Sequence, residues 1–207
     1  MTKPPGLILA GGLARRMGGG DKSLLSLGGQ SVLSHVINRL RPQVSQILLN
    51  ANGDPARFSD YDLPVLPDSL PDFPGPLAGV LAGLDWAAEH GHSHIVTAAA
   101  DTPFFPADLV EKLTNAAKKQ NKPIALAATP HPERGALRQP TFGLWPTDLR
   151  HDLRAALQGG LRKIVAWTDQ HGTALAEFST DGFDPFFNLN TPEDMVEAER
   201  MIGDISA

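Results

Sequence analysis

Apolar and polar positions along this chain change period repeatedly, and the changes mark out its elements. Leu7-Ile8-Leu9 is a short, continuously apolar run closed by glycine, the pattern of a strand buried on both faces. Val32, Val36, Ile37 and Leu40 share one helical face, with Ser31 placed to cap its start and Pro42 to stop it. Val44 to Leu49 reads as a second buried strand, and Val65–Leu66 as a shorter one. From Leu77 to Glu89 the period is again helical, with Val80, Leu81, Leu84 and Ala88 on one side and Gly91 past the end. Ile95–Ala100 is the next strand, followed by a helix over Ala107–Lys119 and a strand over Ile124–Ala128. Ala136–Trp145 has the look of a strand pair broken by Pro140, and Leu149–Leu157 is helical. Gly159-Gly160-Leu161-Arg162-Lys163 opens another short helix. Thr191, Pro192 and the two acids after them start a last helix that runs to about Ile202.

Strand, helix, strand in this order implies right-handed crossovers and a parallel sheet. The expected fold class is α/β: a Rossmann-like three-layer sandwich, with a mostly parallel central sheet flanked by helices. With 207 residues there is ample chain for one continuous core, and residues 1–207 are expected to form a single domain. No internal repeat or low-complexity segment interrupts it.

In such sheets ligands gather at the carboxyl ends of strands. The stretch LILAGGLARRMGGGDK, from Leu7 to Lys22, places unusual chemistry at the first of those ends. Gly11 and Gly12 let main-chain N–H groups approach a ligand, and Arg15, Arg16 and Lys22 are set among further glycines. N–H dipoles plus fixed positive charge make a cradle for a triphosphate. Asp21 stands between Gly20 and Lys22-Ser23, which excludes a P-loop, and no register of the glycines supplies G-x-G-x-x-G.

Three later strand ends add polar groups. Asn50 closes the second strand and either reads a base or sugar or makes an Asx turn. Asp68 follows Val65–Leu66 in a loop, residues 64–79, stiffened by five prolines; alone it reads as a turn carboxylate. Asp101 ends the strand Ile95–Ala100 opposite the glycine loop, and one carboxylate with phosphate oxygens and waters is enough for Mg²⁺. His90, His92 and His94 have metal-like spacing but lie at the amino end of that strand, and read as a solvated helix terminus. Arg162 and Lys163 form either a phosphate contact or a solvated face.

Composition narrows the partners. A formal net charge of −5 argues against coating nucleic acid, so anion binding must come from a local cluster of cations. Without cysteine there is no disulfide framework and no Cys-ligated metal centre. The start MTKPPG lacks the apolar core of a signal peptide, and no apolar run approaches membrane-spanning length. A cytoplasmic chain with no membrane partner is expected.

LAGG followed by x-x-R-M-G and a lysine closely resembles the N-terminal loop of nucleotidyltransferases that use a nucleoside triphosphate. The full string LAGGLARRMGGGDKSLL is similar to the molybdenum cofactor guanylyltransferase branch. The Asn50-Ala51-Asn52 run, D-S-x-x-D-x-P-G-P-L-A-G from Asp68, D-x-P from Asp101 and F-x-N-x-N-T-P-E-D from Phe186 extend the resemblance from about Gly6 to about Glu199. What this implies is transfer of GMP from GTP to molybdopterin-bound molybdenum cofactor, with release of pyrophosphate. It implies a nucleotide-binding half at about 6–105 and an acceptor half at about 106–207. Leu9, Ala10, Gly11, Gly12, Lys22, Asn50, Asp68 and Asp101 would take GTP, with Asp68 either reading guanine or holding the ribose. Asp101 would hold Mg²⁺, and Lys22 and Arg16 would neutralise the leaving pyrophosphate. Asn188 and Asn190 would lie near the acceptor, alongside Arg162 and Lys163. Other proteins of cofactor biosynthesis and molybdoenzyme maturation are the implied partners. Gln139 stands where relatives carry histidine before proline, a departure that touches acceptor binding. Cytidylyl or sugar-phosphate transferases, which usually show LAAG here, are the rival enzymes, and a catalytically silent nucleotide-binding module is the rival outside enzymes.

Overall fold

The computed structural model describes residues 2–11, 21–70 and 75–206, without the side chains of residues 204–206. Among these residues the strands are β1 (Gly6–Leu9), β2 (Ser26–Leu27), β3 (Gln30–Ser31), β4 (Ile47–Asn50), β5 (Val65–Leu66), β6 (His94–Ala99), β7 (Ile124–His131), β8 (Gly135–Pro146) and β9 (Thr173–Glu177). The α-helices are α1 (Val32–Leu40), α2 (Pro76–Glu89), α3 (Leu109–Gln120), α4 (Arg150–Gln158), α5 (Ile164–His171) and α6 (Pro192–Ser206).

Helix boundaries follow the capping chemistry. Ser31 caps α1 by accepting from the Ser34 backbone N–H at 3.0 Å, and its hydroxyl also meets the Tyr61 hydroxyl at 2.7 Å. At the head of α6 the Asp194 N–H donates to Thr191 Oγ1, while Asp194 Oδ2 accepts from the Asn190 and Thr191 N–H groups. That reciprocal exchange is a capping box.

Seven strands form one sheet in the order β5-β4-β1-β6-β8-β7-β9. All its pairings are parallel except those made by β8 with β6 and β7. Because successive strand residues face opposite ways, the core is split in two. Ile8, Leu49, Val96 and Ala125 pack against α1 and α3, and Leu7, Leu48, Ile95 and Leu126 against α2, α4 and α5. This is the three-layer sandwich the periodicity predicts. The chain runs outward from β1 through β4 to β5 and then crosses back to β6, so the reversal of strand order lies at the carboxyl ends of β1 and β6.

Three expectations change. Ala136–Trp145 is not a broken strand pair but part of one twelve-residue strand, β8. Its pairing with β7 jumps from Leu126↔Gly143 to Ala127↔Gln139, so Pro140, which has no N–H to give, falls inside the irregularity. The helix expected from Gly159 begins at Ile164, leaving Arg162 and Lys163 in the connection from α4. β9 was not anticipated: its buried positions, Ala174 and Ala176, are too small to give a strand signal. At the amino end of β6 the rings of His90 and His92 stack on Trp86, with centroids 3.9 and 5.8 Å away, at the far end of the sheet from the carboxyl ends.

Thr97 Oγ1 is buried between β6 and β8, where it accepts from Trp145 Nε1 at 2.9 Å and from the Gly143 N–H. A Cβ on Gly143 would lie 2.7 Å from the Trp145 ring and 2.9 Å from Leu126. Gly143→Ala is expected to destabilise the fold by about 1–3 kcal/mol through overpacking, read as a lower urea midpoint with an unchanged slope.

Candidate active site

Four adjacent parallel strands, β5, β4, β1 and β6, end side by side, and each end carries a residue that the sequence singles out. Ala10 and Gly11 follow β1, Asn50 closes β4, Asp68 lies two residues past β5, and Asp101 two past β6. The backbone locks these ends together: Ala10 N–H donates to Asn50 O, Ala51 N–H to Leu66 O, and Ala100 N–H to Leu9 O, at 2.9–3.1 Å. Gly12, Arg15, Arg16 and Gly18–Gly20 lie outside the described residues, as does Asp72.

Asn50 is 3% exposed and sets one corner. Its Nδ2 donates to Asp68 Oδ1 at 2.9 Å and to Leu66 O at 3.2 Å. Asn52, two residues on, exchanges a pair of bonds with Asp68: Nδ2 to Oδ2 at 2.8 Å, and Asp68 N–H to Asn52 Oδ1 at 2.9 Å. Each oxygen of Asp68 therefore already takes one amide, which fixes the plane of the carboxylate and leaves its remaining lone pairs for a ligand. Room for Asn50 comes from Gly79 on α2, where a Cβ would sit 2.1 Å from Asn50 Oδ1.

The other corner is ionic. Lys22 Nζ donates to Asn190 Oδ1 at 3.0 Å. Burial lifts the Asp101 carboxyl above the usual carboxylate range, and the nearby Lys22 ammonium opposes that shift. Beyond its own backbone, and among the described residues, Asp101 accepts a long 3.5 Å contact from Thr102 Oγ1. The closing segment is tied in here: Leu189 N–H donates to Asp101 O at 2.9 Å. Of the two asparagines expected near the acceptor, Asn190 thus reaches Lys22, and Asn188 is exposed two residues earlier. Arg162 and Lys163 are exposed in the α4–α5 connection; Arg162 Nη1 donates to the carbonyls of Leu157 and Leu161, and a Cβ on Gly75, at the head of α2, would be 4.0 Å from Arg162 O. Gln139 lies on β8 opposite Ala127.

The sequence reading missed two features. Ser23, next to Lys22, is the one residue among those described whose buried side-chain oxygen has no hydrogen bond. Arg57 joins two parts of the site and carries no motif that announces it. A cavity of about 1140 Å³ lies elsewhere, at the amino ends of the strands, lined by residues including Lys3, Gln43, His92, His94 and Lys122. None of the predicted site residues lines it.

A mostly parallel sheet with amides, a lysine and a desolvated aspartate at its carboxyl edge makes this an α/β protein with its polar site at the strand ends. The chain belongs to the MobA-like NTP transferase domain family, whose model matches residues 6–174. It is 51% identical over 203 residues to the molybdenum cofactor guanylyltransferase of Bradyrhizobium sp. (strain ORS 278), covering 97% of this chain and 93% of that one. It is 50% identical over 200 residues to the protein of the same name from Rhodopseudomonas palustris (strain BisB5), covering 95% and 93%. Among solved structures, the molybdopterin-guanine dinucleotide biosynthesis protein A of Archaeoglobus fulgidus superposes with a TM-score of 0.74 at 23% identity, over 97% of this chain and 99% of that one. The 4-diphosphocytidyl-2C-methyl-D-erythritol synthase of Anaerococcus prevotii gives 0.73 at 16% identity, over 98% and 96%.

Nucleotidyltransferases of this family generally use a divalent metal, and the residues present fit one. Asp101 offers a desolvated carboxylate with few hydrogen bonds, and no cluster of three or more acidic, histidine or cysteine side chains that could hold an ion exists among the described residues. Such a site suits a cation that takes most of its ligands from phosphates and water. No helix among the described residues is long and apolar enough to cross a membrane.

Two outcomes follow from this geometry. Gly79→Ala must push the Asn50 amide away from Asp68, so it should lower nucleotide affinity and also destabilise by about 1–3 kcal/mol; calorimetric titration and urea unfolding check the two effects. Asp101 has a raised pKa in the folded chain, so its contribution to stability is present at acid pH and is lost as pH rises through that raised value. Above the ordinary carboxylate range the ligand-free protein therefore carries the cost of desolvating this carboxyl. Asp101→Asn should melt no lower than the unmodified protein at pH 7 without metal or nucleotide, and that advantage should vanish toward pH 4.

Proposed function

We propose that this protein transfers GMP from GTP to the molybdopterin form of the molybdenum cofactor, giving the guanine dinucleotide cofactor and pyrophosphate. The observation that carries this reading is the row of four strand ends, with Asn50 and Asp68 paired at the ends of β4 and β5, and Asp101, with Lys22 near it, after β6. A nucleotide laid along it would meet amides and a carboxylate at its base and ribose, and a cation and a metal-binding carboxylate at its phosphates.

The acceptor's terminal phosphate oxygen attacks the α-phosphorus of GTP. A new P–O bond forms, the α–β bridging bond breaks, and the bridging oxygen leaves with the electron pair as part of pyrophosphate. That nucleophile is already anionic near neutral pH, so the protein need supply no general base. Its work is alignment and charge neutralisation. Gly11 and Gly12 are assigned the backbone N–H contacts to the triphosphate, while Leu9 and Ala10, whose own N–H is spent on Asn50 O, line the approach. Lys22, held by Asn190, neutralises charge moving toward the β-phosphate, and Arg16 is assigned the same task. Asp101 would hold Mg²⁺, which would supply Lewis-acid neutralisation of charge on the triphosphate.

Asp68, held flat by Asn50 and Asn52, is suited to accept the N1–H and exocyclic amine of guanine. Asn188, Asn190, Arg162 and Lys163 are the proposed acceptor side, with residues of about 6–105 serving the nucleotide and about 106–207 the acceptor. Lys22 contacts and the covering tail make Asn190 a bridge between the two. The cofactor-maturation proteins of the cytoplasm are the partners this activity would need.

A nucleotide panel tests the reading. GTP with Mg²⁺, at about a hundred times its dissociation constant, should stabilise the protein by roughly 2.7 kcal/mol. CTP, ATP and UTP should do less, because a base lacking guanine's donor pair leaves buried polar groups unpaired. Pyrophosphate release should require GTP and the molybdenum cofactor together. Equal turnover of CTP would overturn the guanine assignment, and binding of GTP without turnover would make the protein a silent module.

A further inference from the structure

The guanidinium of Arg57 ties the residue before Lys22 to the backbone of Asn52. It is delivered by a 3-10 turn, Pro55–Tyr61, that is held on three sides. Asp54 caps the turn by accepting from the Ala56 N–H at 2.9 Å, Phe58 is buried in the core, and the Tyr61 hydroxyl meets Ser31. Gly53, at φ +85°, brings the chain round so closely that a Cβ there would be 3.2 Å from Arg57 Nη1. The guanidinium carbon lies 4.8 Å over the Phe58 ring.

From this position Arg57 makes two bonds in different directions. Nε pairs with Asp21 Oδ2 at 2.7 Å, and Nη2 donates to Asn52 O, also at 2.7 Å. Asp21 immediately precedes Lys22 and spends its carboxylate on Arg57 rather than on capping the turn that follows. Asn52 is the residue whose side chain exchanges two bonds with Asp68. One side chain therefore connects the segment that delivers the lysine to the segment that holds the base-side carboxylate.

We propose that Arg57 is a positioning residue for nucleotide binding: its fork sets the spacing between the Lys22 turn and the Asn52–Asp68 pair, so that both ends of one GTP are met at once. The proposal rests on the nucleotide reading of those strand ends. The physical case is one of preorganisation. With Arg57 34% and Asp21 14% exposed, the pair is partly buried yet still reached by solvent, so its effect on stability should be modest beside its effect on the ligand that needs both segments in register. Only arginine can do it, because two donors leaving one plane in different directions cannot be reproduced by the single ammonium of lysine.

The test compares GTP affinity by calorimetric titration, kcat and KM for GTP, and thermal midpoint in the unmodified protein, Arg57→Met, Arg57→Lys, Asp21→Ala, the Arg57→Met/Asp21→Ala pair and Lys22→Ala. Arg57→Met should weaken GTP binding and raise KM about tenfold, with kcat changed less than about twofold and the ligand-free midpoint nearly unchanged. Arg57→Lys should not restore affinity, and the double variant should be no worse than the poorer single one, since both break the same link. If Arg57→Met does not fold, Asp21→Ala breaks that link from the other side and is expected to show the same split between KM and kcat. Unchanged GTP affinity in the variants, full rescue by lysine, or a loss confined to kcat would each overturn the proposal. Lys22→Ala separates the two levels of inference. If the unmodified protein binds no GTP, the nucleotide reading falls. If it binds GTP and Lys22→Ala weakens binding while Arg57→Met does not, only the role of Arg57 falls.

Discussion

The arrangement depends on one close approach, the Asn50 side chain lying against the backbone of α2 at Gly79. A buried amide must find hydrogen-bond partners, and Asn50 finds them in the carbonyl of Leu66 and the carboxylate of Asp68. With only a hydrogen at Gly79, α2 closes to a distance that a methyl group would forbid. The end of β4, the strand β5 beside it, the loop after β5 and the helix above are therefore one unit. Moving any of them leaves a polar group unpaired in the core, at a cost of about 1–3 kcal/mol. Asp68 inherits that rigidity, and it is a property of the apo protein rather than one a ligand must create.

The other corner is held electrostatically. Asp101 is buried, which disfavours its charge, and Lys22 opposes that effect without a direct bond between them. The ammonium is instead bonded to Asn190, on the segment that leads into α6. That segment is itself fixed by the capping box around Asp194 and by the bond from Leu189 N–H to Asp101 O. Leu189 and Ala198 bury themselves against Leu27 and Val32, at the foot of the first crossover. The far end of the chain thus closes over its beginning, and the residue that couples them is the lysine assigned to the phosphates.

Much of this was legible in the sequence, and the parts that were not share a cause. Continuous apolar runs gave β1, β4 and β6, because strands buried on both faces have no polar positions to blur them. Ser31, Thr191 and the prolines marked helix ends, since capping is local chemistry. Asp68 and Asp101 could be placed at strand ends by counting from those runs. What escaped depended on contacts distant along the chain. β9 buries two alanines, and it is a strand because β7 offers it an edge. Pro140 suggested a break, yet an irregularity in the β7–β8 ladder absorbs it within a single strand. Arg57 sits in an unremarkable polar turn, and its meaning comes from Asp21, thirty-six residues earlier, and from the Asn52 carbonyl.

The solved structures that superpose on this chain sharpen where base choice must lie. A guanine dinucleotide biosynthesis protein and a diphosphocytidyl synthase match it with TM-scores of 0.74 and 0.73. A scaffold shared so evenly by proteins named for different bases cannot itself select one. The fold is common property; selection is left to side chains and to the path of the loops between strand ends. In this chain the proposed guanine reading rests on the segment that follows Asp68. It begins in a carboxylate whose plane two asparagines fix, and Ser69 Oγ is anchored at 2.5 Å to Asp85 on α2. It ends at Gly75, whose positive φ turns the chain into the proline that starts the helix. On the proposed guanine reading, a rigid carboxylate at one end and a fixed helix start at the other would reject a wrong base by leaving polar groups of the site unpaired, not by filling space.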